Sequence, residues 1–239
     1  MRDEEVDAKW PALALICILP LLGLLIASAA EVAHAPRGLA REIAEHLSGA
    51  GVDNPVTAVL LNFRSFDTLL EVAVLLVALL GIAVVTGETA APRPGALPLD
   101  DVILRGVVSL LASAIAAVGG YLLWVGGHAP GGAFQAGALL ASVFVLLLLS
   151  GHDVWNMYSP RTERVFLTAG IATFLIVGLW VSAGDRNFLE YPGAWAKELI
   201  LVIEAACTVS IGVMLFGMYR GGFRSVTRRR NRRSEGMEG

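Results

Sequence analysis

The sequence predicts an all-α protein, a polytopic bundle of about six transmembrane helices. Of its 239 residues, 56% are hydrophobic and 16% are charged, whereas a soluble domain carries roughly 25% charged residues. Uncharged stretches long enough to cross a bilayer recur along the chain, since about 20 apolar residues in a helix span a core of about 30 Å. Basic residues are also unevenly placed, because seven of the 18 lie in the last 20 positions.

The predicted spans follow from the uncharged runs in order. They cover residues 10–30, 67–85, the run between 105 and 128, the run between 128 and 152, 165–183 and 195–219. The first run has an alternative, because Ala33-His34-Ala35 has the small-x-small form of a signal-peptide cleavage site. The preceding segment is acidic and the run is long, and both features favour a retained first helix.

Three intervals between the spans carry patterns of their own. Residues 37–48 space leucine and isoleucine four apart, which predicts a short amphipathic helix on the membrane surface or on a partner. Residues 55–66 are too few to span and predict a half-helix or re-entrant segment before span two. Residues 87–99 are rich in proline and glycine and predict a linker. The expected regions are 1–54 (first helix and extracytoplasmic loop), 55–99, a four-helix membrane domain at 100–219, and a basic tail at 220–239.

The basic tail orients the bundle. A cluster of arginines directly after an apolar helix is typical of a cytoplasmic anchor. Nucleic-acid binding is the alternative for such a tail, but its position beside the last span favours the topological role. Arg161 and Arg164 fall on the same side. Six spans then place both termini in the cytoplasm.

A polar stripe lies at the start of span two. A charge near the centre of a membrane helix costs at least about 2.5–3.5 kcal/mol, so Glu71 requires an explanation. Arg64, Asp67 and Glu71 are three and four residues apart and would share one face of a continuous helix. Paired carboxylates beside an arginine suit proton transfer. Alternatively, Arg64 and Asp67 lie at the interface and Glu71 pairs with a neighbouring subunit.

A second buried acid is predicted in span six. Glu204 lies one to two turns into that span, and Lys197 precedes it by seven residues on the same face. A separation of about 10 Å along a straight helix prevents direct contact. Each side chain is therefore expected to meet another helix, unless Lys197 extends to the surface. Glu204 and Lys197 are candidates for an ion or proton path, with a structural role as the alternative.

A glycine-rich turn joins spans three and four. Glycines permit close backbone approach, proline suits a helix start, and small residues four apart let helices pack tightly. His128 in this turn is a candidate for ion or proton handling or for a structural hydrogen bond. The residues expected to shape the turn are Gly127, Pro130, Gly131, Gly132, Gln135 and Gly137.

The sequence contains no pattern typical of enzymes. It has no nucleophile triad, metal-ligand spacing, phosphate-binding loop or dinucleotide fingerprint, and its two cysteines are far apart. We therefore expect no catalytic residue, no metal site and no cofactor.

Two stretches resemble the Mrp/Mnh multisubunit sodium/proton antiporters and their relatives in membrane-bound hydrogenases. The run Asn62-Phe-Arg-Ser-Phe-Asp-Thr-Leu-Leu-Glu71 is similar to a D-F-R-x-[FL]-D-T-L-x-E segment near the end of the large antiporter subunit, or of the small hydrogenase-type membrane subunit that replaces it. Residues 127–137 are similar to the glycine-rich turn of the MnhB subunit. Asn62, Ala133 and Ala136 depart from the family patterns.

The resemblance implies an accessory subunit that assembles with other membrane subunits and helps to couple Na⁺ and H⁺ movement. It also implies the plasma (inner) membrane of a prokaryote, and points to Asp67 and Glu71 first, with Glu204 third. Three alternatives remain open: a subunit of a redox-driven, complex I-like pump, a purely structural assembly subunit, and an independent transporter.

Overall fold

The fold is helical throughout the part of the chain that the structure describes. The computed structural model describes residues 19–20, 22–24, 26–27, 38–86, 102–152, 154, 159–184 and 187–222. Within these ranges there are helices and turns and no strand. The predicted all-α class is therefore confirmed.

Seven α-helices lie in the described ranges from residue 38 onward and are numbered in chain order. They are α1 (Gly38–His46), α2 (Pro55–Ala58), α3 (Ser65–Thr86), α4 (Val102–Val125), α5 (Ala133–Leu149), α6 (Pro160–Ser182) and α7 (Ala196–Tyr219). A 3₁₀ turn at Leu47–Gly49 follows α1, and a π-helical turn at Val59–Phe63 follows α2. The predicted linker at 87–99 and most of the tail at 220–239 lie outside the described residues.

Four of these helices are long and apolar enough to cross a membrane: α3, α4 from Gly106 onward, α6 and α7. The fifth, α5, has 17 residues and is therefore about 25 Å long. It is shorter than the uncharged run, because residues 126–132 form the turn that the sequence predicts between spans three and four. The predicted first span falls mostly outside the described residues, and those described between 19 and 27 are helical. The chain is a multi-pass membrane protein.

Contacts divide the chain into two units, residues 1–45 and 46–239. In the first unit, α1 forms where the sequence predicts a short helix, and the Arg41 Nε donates to Glu45 Oε1 at 2.8 Å. Its placement on a membrane surface stays a prediction. The second unit contains α2 to α7.

Helix α7 is the centre of the second unit. It packs against α3, α4, α5 and α6, and 61% of its most apolar stretch is buried, against 17% to 33% for the other three long helices. Glycines permit the close approach, since a Cβ on Gly137 of α5 would lie 2.8 Å from Ile211 Cγ2. The Ser210 hydroxyl donates across the α6–α7 contact to the Leu167 carbonyl at 2.7 Å. A residue near the middle of α7 is therefore enclosed by the bundle.

The segment before α3 is a helical piece too short to span, as the sequence predicts. It starts at an Asn54–Pro55 pair, in which the Asn54 side chain accepts from the Val56 N–H and proline occupies the first helical position. The π turn ends at Arg64, whose φ of −131° and ψ of 40° interrupt the helix. Because α3 begins at Ser65, Arg64 lies outside the helix that contains Asp67 and Glu71.

Candidate functional site

Residues 53–57, which lead into α2 and form its first turn, are attached to the turn between α4 and α5. The Asn54 Nδ2 donates to the carbonyls of Gly126 and Ala129, both at 2.9 Å, and the Thr57 hydroxyl donates to Gly126 at 2.5 Å. The backbone N–H groups of Asp53 and Asn54 both donate to the Gly127 carbonyl, at 2.9 and 3.0 Å. Five hydrogen bonds therefore fix residues 53–57 against the glycine-rich turn.

This attachment is one feature that the sequence reasoning missed. Locally, Asp53 and Asn54 form only a turn-like break, because hydrogen bonds to residues more than 70 positions away leave no local pattern. The Asn-Pro pair does carry a signal, since asparagine before proline is typical of a capped helix start. That signal predicts the cap at Asn54 but not its partners across the bundle.

A cavity of about 180 Å³ lies where this segment, the turn and α7 meet. The cavity extends from the exposed side chains of Asp53, His128 and Lys197 to the buried side chain of Glu204, which is 4% exposed. The lining residues are Gly51, Val52, Asp53, Trp124, Gly127, His128, Lys197, Ile200, Leu201 and Glu204. A second, open groove of about 410 Å³ is lined by α5 and Leu215 and has no ionisable side chain.

The carboxylate of Glu204 faces the start of α5. Gly132 precedes this helix with a φ of 114°, and a Cβ built on it would lie 2.9 Å from Glu204 Oε1. The first amides of a helix have no partners within it and favour negative charge, and Gly132 supplies no side-chain cap of its own. The arrangement provides a place for a carboxylate inside the bundle.

The outer part of the cavity holds three charged or titratable groups. The Nε2 atom of His128 lies 3.5 Å from Lys197 Nζ and 3.8 Å from Asp53 Oδ2. Lys197 and Glu204, which are seven residues apart on α7, both line this cavity without touching each other. The structure therefore brings together three of the predicted candidates, Glu204, Lys197 and His128, and adds Asp53.

Exposed aromatic side chains lie at the same end of the bundle as the cavity and indicate where the membrane surface is. Tyr121, Trp124, Trp180 and Trp195 are each about 60% exposed or more, near the ends of α4 and α6 and at the start of α7. Tryptophan and tyrosine concentrate where membrane meets water. Glu204 lies nine residues beyond Trp195, about 13 Å along the axis, and therefore near the middle of a core about 30 Å thick.

The glycine-rich turn differs in one respect from the expectation. Proline suits a helix start, but Pro130 lies in the bend and α5 begins at Ala133, directly after the turn. Gly132, the last residue of the turn, adopts a positive φ. Gly127 lines the cavity, Gly131 precedes the bend's last residue, and Gln135 is exposed in the first turn of α5.

Arg64, Asp67 and Glu71 lie apart from this cavity. Arg64 and Asp67 form an ion pair at the start of α3. Glu71 is exposed on α3, on a face where Val74 is 62% exposed. None of these three side chains lines the cavity. The stripe predicted from the sequence is thus separate from the Glu204 site. Among the described residues, no group of three or more His, Cys, Asp or Glu side chains could hold a metal ion.

Comparison with known proteins identifies the second half of the chain. A family model described as a domain related to the MnhB subunit of Na⁺/H⁺ antiporters matches residues 103–222. An uncharacterized protein of Methanocaldococcus jannaschii is 29% identical over 168 residues, which are 59% of this chain and 63% of that protein. A Staphylococcus aureus protein named as antiporter subunit mnhB2 is 26% identical over 103 residues, which are 42% of this chain and 73% of that protein.

Two solved structures are similar. A chain of the membrane-bound sulfane sulfur reductase, an archaeal respiratory membrane complex, matches with a TM-score of 0.65 and 25% identity over 87% of this chain and 96% of that chain. A chain of the Mrp complex from Dietzia sp. matches with a TM-score of 0.63 and 23% identity over 89% of this chain and 26% of that chain. The second likeness concerns the fold alone. The match with the M. jannaschii protein spans less than two thirds of that protein's length.

Proposed function

This chain belongs to the family of domains related to the MnhB subunit of Na⁺/H⁺ antiporters, and we propose that it is an accessory membrane subunit of a multisubunit cation/proton antiporter. In this role it contributes to assembly and to the movement of Na⁺ and H⁺, and it catalyses no reaction of its own. Its partners are other membrane subunits, and both solved structures that resemble it are of multisubunit membrane complexes.

One observation carries the transport part of the proposal. The region that matches the family, residues 103–222, contains a carboxylate that is 4% exposed in the middle of a membrane helix and lines a polar cavity. Ionisable groups at that depth are costly and are mostly functional. A single carboxylate can hold either a proton or a cation, and competition between them is the simplest way to couple their movements. Glu204 is the residue to which we assign this role.

The cavity provides an access route to Glu204. Asp53, His128 and Lys197 lie at its exposed side and Glu204 at its buried side. We assign His128 the transfer of protons, because its ring nitrogen lies between a carboxylate and an ammonium group. Lys197 lines the exposed side of this route and contacts His128 at 3.5 Å.

The membrane placement extends the same proposal. The protein lies in the plasma (inner) membrane of a prokaryote with both termini in the cytoplasm, because its arginine tail follows the last span. The exposed aromatic side chains Tyr121, Trp124, Trp180 and Trp195 then lie on the extracytoplasmic side of the membrane, and so does the exposed side of the cavity. Glu204 is therefore reached from outside the cell.

The structural match with a chain of the respiratory complex favours a second function. The match covers 96% of one chain of that complex, whereas it covers 26% of the antiporter chain. A subunit of this size and organisation therefore exists in a redox-driven assembly. The alternative role is a membrane subunit of such a pump, with the same Glu204 site.

Purification of the tagged chain in mild detergent tests both roles. We expect antiporter subunits to co-purify, redox subunits would support the second role, and recovery of no other membrane subunit would overturn both. Antiport is then measured in everted vesicles with Glu204→Gln, which keeps the size of the side chain and removes its charge. We expect at least about a tenfold loss of rate. Glu198→Gln, at an exposed position on the same helix, is the control, and full activity of Glu204→Gln would leave only the assembly role.

A further inference from the structure

The outward face of α3 contains an acidic side chain at membrane depth. Glu71 is exposed, and so are its neighbours on this face, with Leu70 at 64% and Val74 at 62%. The buried side of the helix is formed by other residues, among them Val72 and Leu79. Glu71 therefore points away from the bundle and toward whatever surrounds this chain.

The packing of α3 on α7 gives the depth of Glu71. A Cβ on Gly217 would lie 3.0 Å from Leu79 Cδ1, and a Cβ on Gly222 would lie 3.3 Å from Ala83. Residue numbers increase in the same direction along both helices, so α3 and α7 are parallel. Glu71 precedes Leu79 by eight residues, and Val209 precedes Gly217 by eight, so Glu71 and Val209 lie at the same depth. Val209 is about 20 Å along the axis from Trp195, inside a core of about 30 Å. The carboxylate therefore lies at a level where lipid would leave it without hydration.

Glu71 has no counter-charge among the residues that the structure describes. In the described part of the chain no ion pair joins Glu71 to another residue, and the nearest arginine in sequence, Arg64, is paired with Asp67 on the same face. The full sequence has no lysine or arginine at positions 10–36, 65–92, 106–160, 165–185 or 198–219. Its basic residues thus flank the spans, and the predicted first span contains none. A second copy of the chain would lack a suitable partner for the same reason.

We infer that Glu71 forms an ion pair with a lysine or arginine in a transmembrane helix of a neighbouring subunit, and that the face around Leu70 and Val74 is the surface on which this helix packs. The inference rests on the proposed role in a multisubunit complex. Apolar side chains around the pair exclude lipid and water, and the carboxylate selects a partner helix of opposite charge. Glu71 then determines assembly, separately from ion movement at Glu204.

Photo-crosslinking in the assembled complex tests the contact. A benzophenone amino acid at position 74 is expected to link this chain to one membrane subunit, at a helix that contains a mid-membrane lysine or arginine. Links to lipid alone, to a second copy of this chain or to a helix without a basic residue would each overturn the inference.

Charge reversal tests the ion pair. Glu71→Lys is expected to reduce the linked subunit in the purified complex by at least about tenfold, and reversal of the partner's basic residue to Glu is expected to restore it. Glu198→Lys, at an exposed position near the start of α7, is the control for a simple effect of added charge. Restoration excludes misfolding as the cause. Unchanged assembly of Glu71→Lys, or no restoration by the reversed partner, contradicts the ion pair and leaves the antiporter role in place. Recovery of this chain alone, before any substitution, overturns both.

Discussion

Gly132 and Glu204 are in such close contact that a Cβ on the glycine would lie 2.9 Å from the carboxylate Oε1. Gly132 also has a φ of 114°, a conformation that glycine adopts readily and other residues rarely do. The same residue thus allows both the start of α5 and the position of the buried acid.

Gly132→Ala is therefore expected to destabilise the protein and to reduce transport. The backbone conformation alone costs about 1–3 kcal/mol for a residue with a side chain, and the added methyl displaces the carboxylate. Gly120→Ala on α4 is the matched control, since nothing lies within 4 Å of its added Cβ. The thermal unfolding midpoint in detergent, followed by tryptophan fluorescence, measures the first effect and antiport in vesicles the second. Equal midpoints and rates for the two variants would show that Gly132 is not required at this site.

Asn54→Ala is expected to release the segment before α2 from the glycine-rich turn. Asn54 is 6% exposed and donates to two carbonyls at 2.9 Å, and leaving such groups without a partner costs about 1–3 kcal/mol. Asn54→Asp separates the two functions of this side chain. It keeps the acceptor for Val56 and places an oxygen against the two carbonyl oxygens.

If the donated bonds matter most, Asn54→Asp lowers the unfolding midpoint at least as much as Asn54→Ala. If the helix cap matters most, Asn54→Asp resembles the unchanged protein. Because residues 51–53 line the cavity, we also expect both variants to slow antiport. A normal rate in a variant with a lowered midpoint would mean that this segment does not control access.

The membrane helices could be predicted from the sequence because charge is excluded from them by a large energy. The uncharged runs therefore located α4, α6 and α7 well. The distribution of charge alone does not locate the start of α5, because the turn at residues 128–132 is also uncharged. The glycines and the proline of that turn locate it instead, and α5 begins directly after them at Ala133.

The candidate site was predicted in part. The spacing of Lys197 and Glu204 placed both on one face of α7, and both line the same cavity. Asp53 was not predicted, because its position depends on the hydrogen bonds that join residues 53–57 to a turn far away in the sequence. The stripe of Arg64, Asp67 and Glu71 was predicted as a group, but sequence spacing does not reveal whether a helix face points inward or outward.

His128→Gln is expected to slow antiport without a comparable loss of stability. The His128 side chain is 45% exposed, so its removal leaves little buried surface without contacts. A rate about tenfold lower is expected, since glutamine does not exchange a proton and cavity water replaces the ring only in part. His152→Gln is the control, because His152 contacts Ser150 at the other end of α5. A rate equal to that of the control would contradict the assigned proton transfer.

Gly137→Ala is expected to push α5 away from α7. The added Cβ would lie 2.8 Å from Ile211 Cγ2 and 3.1 Å from the Thr208 carbonyl oxygen, and excess volume in a packed core costs about 1–3 kcal/mol. Ile211→Ala alone is expected to cost about 2–5 kcal/mol, because Ile211 is fully buried and its loss leaves a cavity.

The double variant tests whether these two effects come from the same contact. With Ile211→Ala in place, the methyl on residue 137 occupies part of the space that isoleucine leaves, so the double variant is expected to lose less stability than the sum of the two single variants. Unfolding midpoints of the four proteins in the same detergent measure the difference. The contact with the Thr208 carbonyl remains in both backgrounds, and full relief is therefore not expected. Additive effects would mean that the helices already move apart around Gly137, and that the cost of the methyl arises at the backbone of Thr208 instead of at Ile211.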